Sequence, residues 1–379
     1  MSRPLPLHLA VGLNGAGWHP AAWRAPTARP ADLFTAGYWL DLVREAERGL
    51  LDLVTIEDAL GLQSSRDGGP DERTDQVRGR LDAVLIAART APLTRRVGLM
   101  PTATVTHTEP FHIAKAIATL DHVSGGRAGW QVQVSGLPHE AAHFGRRVLG
   151  TGPQAAQDLR GEAADHVEVV RRLWDSWEDN AEIRDVATGR FIDRDKLHYV
   201  DFTGRWFSVK GPSITPRPPQ GRPPVGAPAP GGLAYGVGAD VVFAAPHDAD
   251  DVRDVVGAGR APHVFGDLLV VLDEDARTAR DHRQRLDDLD GSGHGTSAAS
   301  FAGTPSQLAD QILQWRAAGL TGIRLLPARL PADLRAITRG LVPELQAYGA
   351  FRRQYEATTL RGHLGLARPA NRYAEDSVA

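Results

Sequence analysis

The chain is predicted to adopt a parallel α/β fold, on three observations. Short apolar runs with strand character, at residues 5–12, 51–57, 96–100, 128–134, 240–245, 268–272 and 322–326, alternate with segments of helical periodicity. The helical segments carry their apolar residues on one face, as helices covering a sheet must. At 379 residues and 42% hydrophobic content, the chain can furnish the core of one barrel-sized domain or two ordinary ones. Alternation alone does not separate a (β/α)8 barrel from a doubly wound sheet, since both alternate and both fit this length.

The first helix is read between the first two strands, where Phe34, Tyr38, Leu42, Ala46 and Leu50 recur every four residues, with Gly49 near its end. Ile113, Ile117 and Leu120 repeat the pattern after the third strand. Val167, Val170, Trp174 and Trp177 do so after the fourth, which assigns these tryptophans, like Trp315, to the core. Thr304, Pro305 and Gln307 supply an N-cap, a proline at the first helical position and a reciprocal capping partner, and Gly319 ends that helix. Two stretches break the alternation. Residues 179–222, with Thr188-Gly189 and a proline-rich exit, read as an inserted hairpin and extended segment, lying over the mouth should the sheet close into a barrel. Residues 275–304 are charged and then Gly/Ser-rich at 291–295, and are expected to be the most mobile part.

Lysine and arginine number 43 against 46 aspartates and glutamates, so no basic footprint for nucleic acid exists and a small-molecule role is expected. The absence of cysteine excludes disulfides, thiolate metal sites and cysteine nucleophiles. No apolar run is long enough for a membrane span and the first residues lack a signal core, so a soluble cytoplasmic protein is expected.

In parallel α/β folds, functional groups gather beyond the carboxyl ends of strands. Those positions hold Trp18, His19, Trp23 and Arg24 after the first strand, and Glu57 and Asp58 after the second. Thr102, Thr104, Thr106 and His107 follow the third, and Ser135, His139 and His143 the fourth. One polar residue per end is ordinary capping chemistry, whereas four successive ends with imidazole, carboxylate or hydroxyl groups point to a site. Trp18, Trp23, His107, His139 and His143, together with His19, suggest an aromatic, hydrogen-bonding substrate pocket. Neither common phosphate-binding loop occurs. His139-Glu140-Ala141-Ala142-His143 matches the H-E-x-x-H zinc pattern. Pro138 and Gly145 leave little helix to hold it and no third ligand is identifiable, so the match is read as chance and no metal is expected.

Residues 119–130, Thr-Leu-Asp-His-Val-Ser-Gly-Gly-Arg-Ala-Gly-Trp, form a helix end, a glycine turn and a strand start. They resemble the LDHLSGGR-x-GWN signature of the bacterial-luciferase superfamily of flavin-dependent monooxygenases, in the branch of the nitrilotriacetate, dibenzothiophene-sulfone and pristinamycin enzymes. Gln131 replaces the final Asn. Residues 17–24 resemble that family's G-x-H-x-A-A-W-R, residues 173–179 its LWDSWEDD, residues 218–223 its PPQGRP, and residues 343–346 and 359–366 its closing P-E-L-Q and T-L-R-x-H-L-G-L. The resemblance covers most of the chain.

It implies a (β/α)8 TIM barrel over residues 1–365, a C-terminal tail at 366–379 and a homodimer. It further implies a two-component monooxygenase that receives reduced FMN from a separate NAD(P)H:flavin reductase. Such an enzyme uses dioxygen through a C4a-peroxyflavin on a small organic substrate, such as a heterocycle or natural product. By position Asp58 and Thr104 match flavin contacts, and Gln131 and Ser135 lie on the matching strand and loop. His19 stands at the mouth as a general acid/base.

The chain departs from this family where the FMN phosphate belongs. The family's Q-A-G-x-S-x-x-G turn reads Gly-Ala-Pro-Ala-Pro-Gly-Gly at 226–232, whose prolines remove N–H donors. The family's Arg-Tyr pair reads Arg160-Gly161. Arg160, Gly231 and Gly232 are left to hold the phosphate. Two alternatives follow: a barrel that has lost FMN and serves as a flavin-independent enzyme or binding partner, and a deazaflavin-dependent oxidoreductase.

Overall fold

The computed structural model describes residues 7–66, 68–259, 261–291 and 298–374. The stretch 275–304, expected to be the most mobile part, instead holds a regular helix at Ala276–Asp290 and a strand at Ala299–Gly303, while 292–297 of its Gly/Ser-rich piece lie outside the described residues.

The first strands are β1 (His8–Leu13), β2 (Leu53–Ile56), β3 (Gly98–Thr104) and β4 (Trp130–Gln133). Two small antiparallel hairpins follow, β5 (Glu182–Asp185) with β6 (Arg190–Ile192) and β7 (Phe202–Thr203) with β8 (Ser208–Val209). The chain then returns to the main sheet with β9 (Val225–Pro228), β10 (Val241–Ala244), β11 (His263–Leu272), β12 (Ala299–Gly303) and β13 (Gly322–Pro327). Parallel pairing runs β1-β2-β3-β4-β9-β10-β11-β13 and back to β1, so eight strands close a barrel and the doubly wound alternative falls. β12 is an additional strand laid on the later half of β11, beyond the point where β10 stops pairing with it.

Side chains alternate across each strand. Leu9, Val11 and Leu13 join the outer core beneath the helices. Ala10, Leu53, Met100, Val241, Phe243 and Phe265 form an inner core, which Leu360 and Leu364 join. Crowding dictates Gly226, where a Cβ would stand 2.8 Å from both the Met100 sulfur and the Phe243 ring.

The barrel is sheathed by α1 (Ala36–Arg48), α2 (Ala83–Thr90), α3 (Pro110–Ser124), α4 (Pro138–Phe144), α5 (Gly152–Asp175), α6 (Leu233–Gly236), α7 (Ala249–Gly257), α8 (Ala276–Asp290) and α9 (Pro305–Ala317). Short α10 (Ala332–Ala336), α11 (Val342–Ala347) and α12 (Leu360–His363) close the chain. α1 buries Tyr38, Leu42 and Ala46 as expected. Phe34 precedes its cap and is exposed, and Leu50 lies beyond its end at a φ of 58°. Thr304 and Gln307 form the capping box of α9, a device worth about 1 kcal/mol. Trp174 and Trp315 are buried, while Trp177 is part-buried and donates to the Ser213 carbonyl at 2.7 Å. No helix among the described residues is long and apolar enough to cross a membrane.

Arg127 donates its guanidinium to the carbonyls of Ala91, Thr94, Val97 and Ser124, knitting the turn after α3 to the start of β3. Two expectations change. The insertion does not roof the mouth. It folds against α5, with Trp206 over Gly161 and Arg217 reaching Asp175. Residues 226–228 belong to β9, so the expected phosphate turn shrinks to 229–232. Residues 366–374 are also stitched to the barrel. Asn371 donates to the Asp175 and Trp177 carbonyls at 2.8 Å each, and Arg368 pairs with Asp179.

Candidate active site

Inward positions of a (β/α)8 barrel are ordinarily filled by branched apolar residues. Here Thr55, Gln131, Asp267 and Arg324 occupy them, with Glu57 just past β2. Arg324 and Asp267 are register partners on adjacent strands, joined by two bonds of 2.7 and 2.6 Å. Arg324 also donates to Gln131 Oε1 at 2.7 Å, and Gln131 Nε2 approaches Glu57 at 3.3 Å. The guanidinium lies 4.0 Å from the centre of the Phe243 ring. Burial pushes the Glu57 and Asp267 carboxyls above the usual carboxylate range, with Arg324 pulling both back. Burial likewise opposes the charge on Arg324, but Asp267 and Glu57 overcome it. The barrel axis is therefore closed by a charged floor.

Above that floor opens a cavity of about 550 Å³. Asn14, Trp18 and His19 come from the loop after β1, and Gln63, Gln76 and Arg80 from the long loop after β2. Gln133, Ser135, His139 and Glu140 come from the end of β4 and its continuation. Trp18 donates its indole N–H to the Gly12 carbonyl at 2.7 Å, which fixes the ring across the top of β1. Ser135 donates its hydroxyl to Glu140, leaving its own oxygen as an acceptor. His19 is buried, accepts the Ala21 N–H on Nδ1 at 3.1 Å and thereby directs Nε2–H to Asp287 at 3.1 Å. Burial lowers the His19 pKa, with Asp287 opposing, so the neutral imidazole is favoured.

Of the residues singled out from the sequence, Trp18, His19, Ser135 and His139 line this cavity and Gln131 forms part of its floor. Thr104 is buried at the end of β3. Asp58 is not a cavity residue: its two oxygens accept the Ala59 and Ala83 N–H groups at 2.8 and 2.9 Å, tying the loop after β2 to the start of α2. Trp23 donates to the Asp75 carbonyl at 2.9 Å and steadies the same loop. His107, at a φ of 70°, stacks on Phe144 with ring centres 5.2 Å apart, and neither it nor exposed His143 lines the cavity. Contrary to expectation, α4 spans all of 139–143. The His139 and His143 rings nevertheless stand 6.5 Å apart and perpendicular, and Glu140 is engaged by Ser135. Among the described residues, no three His, Cys, Asp or Glu side chains gather as a metal site.

Sequence reading missed Asp267, Arg324, Gln133 and Arg80. The first two carried a signal, since each interrupts an otherwise apolar strand at an inward position. Arg80, in an irregular loop, carried none.

The expected phosphate site lies past β9. The Ala229 and Gly232 N–H groups are bonded to the Phe243 and Ala229 carbonyls at 2.7 and 3.1 Å, and Pro228 and Pro230 have no N–H. Arg160 makes no hydrogen bond or ion pair among the described residues. Its Nη1 lies 3.8 Å from where a Gly231 Cβ would stand. Gly231 and Gly232 are both left-handed, at φ 71° and 76°, and a Cβ on Gly232 would meet nothing within 4 Å. At Gly161 a Cβ would lie 2.6 Å from the Trp206 ring, which packs directly over this position. This donor set fits a phosphate monoester held by the Arg160 charge beside open glycine backbone.

The model of the luciferase-like monooxygenase family matches residues 16–322. The chain is 30% identical to the N-acetyl-S-(2-succino)cysteine monooxygenase of Bacillus subtilis (strain 168), across 99% of this chain and 100% of that one. It is 32% identical to nitrilotriacetate monooxygenase component A of Aminobacter aminovorans, across 96% and 97%. Among solved structures, long-chain alkane monooxygenase superposes with a TM-score of 0.85 at 23% identity, covering 96% of each chain. Riboflavin lyase superposes with a TM-score of 0.85 at 24% identity, covering 97% of each chain. At these identities the structural likeness speaks for the fold.

Proposed function

The chain belongs to the luciferase-like monooxygenase family, a family of flavin-dependent oxidoreductases, and from that premise we propose that it is the oxygenating half of a two-component system. It takes reduced FMN from a separate NAD(P)H:flavin reductase and uses dioxygen to oxidise a small organic molecule, working as a homodimer in the cytoplasm. The observation that supports this reading most is the cavity of about 550 Å³ at the carboxyl end of a barrel whose axis is sealed beneath it. That volume lies in the range of small-molecule sites.

Bound reduced flavin supplies the electrons that activate dioxygen. The chain's own groups bind, orient and exclude water. Arg160, beside the backbone at Gly231, would hold the phosphate by charge, the Gly232 N–H being spent on the Ala229 carbonyl. Gln131 and the Ser135 oxygen present polar edges at the floor and wall. Trp18, pinned to Gly12, gives the cavity an aromatic side. His19 keeps its proton on Nε2 toward Asp287, and moving that proton to a ligand requires the Asp287 bond to break.

The test is an anaerobic titration with reduced FMN and reduced riboflavin, for the parent protein and Arg160→Ala. FMN binding tighter than riboflavin binding, with that preference lost in Arg160→Ala, is the expected result. An equal response to both flavins in the parent protein would overturn the phosphate assignment, and no response to either would overturn the flavin-dependent reading.

A further inference from the structure

Most polar side chains around the mouth cavity are committed to the protein. Gln63 bonds both ways to the Gly79 backbone at 2.9 Å, and Gln76 donates to Asp290 at 3.0 Å. Ser135 and Glu140 hold each other, and His19 has its partners. Arg80 differs. Among the described residues it makes no hydrogen bond and no ion pair, yet its Nε is buried without a partner. It lines the main cavity and also the narrow crevice that runs to Glu57. Asn14 and Gln133, which line the same cavity, likewise have side-chain amides with no hydrogen bond among the described residues, and His139 Nδ1 is buried without one.

A guanidinium with a buried, unmet N–H is costly in a folded protein, because desolvation of a charged donor is not offset by any bond. Such a group persists where a ligand completes it, and the complement to its planar fork of donors is a carboxylate. Glu57 and Asp58 are near enough for Arg80 to lower both their pKa values, but neither bonds to it. The fork is therefore open on the cavity side. We propose that Arg80 is the anchor for a substrate carboxylate, assisted by the Gln133 and Asn14 amides, and that the substrates of this enzyme are small organic acids. The proposal rests on the monooxygenase reading for the word substrate, and on the cavity alone for the word carboxylate.

Arg80 acts by binding and orientation, so its loss is felt in affinity. The protein without flavin is titrated by calorimetry with a panel of aliphatic and aromatic mono- and dicarboxylates, each beside its neutral amide. Several acids are expected to bind the parent protein better than their amides. Arg80→Gln should weaken the acids by roughly 10- to 100-fold, the range for one charged hydrogen-bonding group, and leave the amides unchanged. Arg80→Lys should recover part of the loss, since it restores the charge without the fork. Thermal melting of the unliganded variants checks that both are folded.

Acids that bind no better than amides in the parent protein, or equally well in Arg80→Gln, would sink the proposal. A parallel titration with FMN separates the two readings. Loss of FMN binding in Arg80→Gln with acid binding intact assigns Arg80 to the flavin and overturns the inference. Acid binding that depends on Arg80 in a protein that takes no flavin leaves the inference standing and removes the oxygenase reading.

Discussion

Asp267 and Arg324 face each other across adjacent parallel strands, with two hydrogen bonds of 2.6 and 2.7 Å, in the layer where a barrel interior is usually hydrocarbon. Glu57 shares the same guanidinium at 3.5 Å, so two carboxyls depend on one cation. Removing one partner of a buried pair costs about 3–5 kcal/mol, because the other charge is left without compensation. Arg324→Met should therefore lose stability of that order in urea unfolding. Asp267→Asn combined with Arg324→Met should lose less than the single change. A single variant as stable as the parent would show the floor to be energetically idle.

Asp121, in the last turn of α3, accepts the Gln220 backbone and side-chain N–H groups and the Ala128 N–H at 3.0, 2.6 and 3.2 Å. Burial is the largest influence and raises its pKa from 3.8 to about 6, against those donors. The folded state thus holds this proton more tightly than the unfolded chain. Its contribution to stability is fully present below pH 3.8 and is lost as the pH rises through about 6. Asp121→Asn removes that dependence and turns an amide NH₂ toward N–H donors, at a cost of about 1–3 kcal/mol. Unfolding curves at pH 4.5 and 7.5 would show the parent-to-variant gap narrowing at the higher pH.

His19 is expected to be the neutral Nε2–H tautomer at pH 7, visible in the ¹⁵N shifts of its ring. Asp287 raises its pKa against burial, so Asp287→Asn should lower it further. Protonation of a buried neutral imidazole opposes folding. The stability this group contributes is present above pH 6.5 and is lost as the pH falls through the lowered folded value. An increase in pKa on replacing Asp287 would contradict the assigned bond.

At Gly161 the family tyrosine is missing and Trp206 packs over the position. Gly161→Tyr alone should clash and lower the melting temperature. Gly161→Tyr with Trp206→Ala should fold, and by restoring a phenol beside Arg160 it should tighten FMN binding several-fold without changing riboflavin binding. Flavin fluorescence titration reads both, and an unaltered FMN affinity in the double variant would separate Gly161 from the phosphate.

Most barrel strands were legible because each is a compact apolar run between helical segments. β9 was not. Its inward positions are Gly226 and Pro228, chosen by contact with Met100 and Phe243 and by the strand's end, so it looks like the proline-rich loop around it. The site was legible by place and less so by role. Trp18, His19, Ser135 and His139 do meet at one cavity, as strand-end logic requires. Asp58 and Trp23 stand at the same ends but spend their polar atoms on backbone, which depends on loop paths that a single sequence does not encode locally. Gln76 and Asp290 lie far apart in sequence and meet where the long loop after β2 packs on α8, and no periodicity marks such a contact.

That loop largely ties itself together. Gln63 clasps Gly79, Ser65 and Arg78 both hold Asp71, and Arg73 and Gln76 anchor it to Asp290 on α8. Arg80, Gln63 and Gln76, the polar share of the cavity wall that this loop supplies, can thus be exchanged as one cassette while the barrel beneath stays as it is. A relative's loop, grafted between Asp58 and Asp82 with its own internal clasps, would transfer ligand preference without rebuilding the oxygenase, and inheritance has the same route open to it.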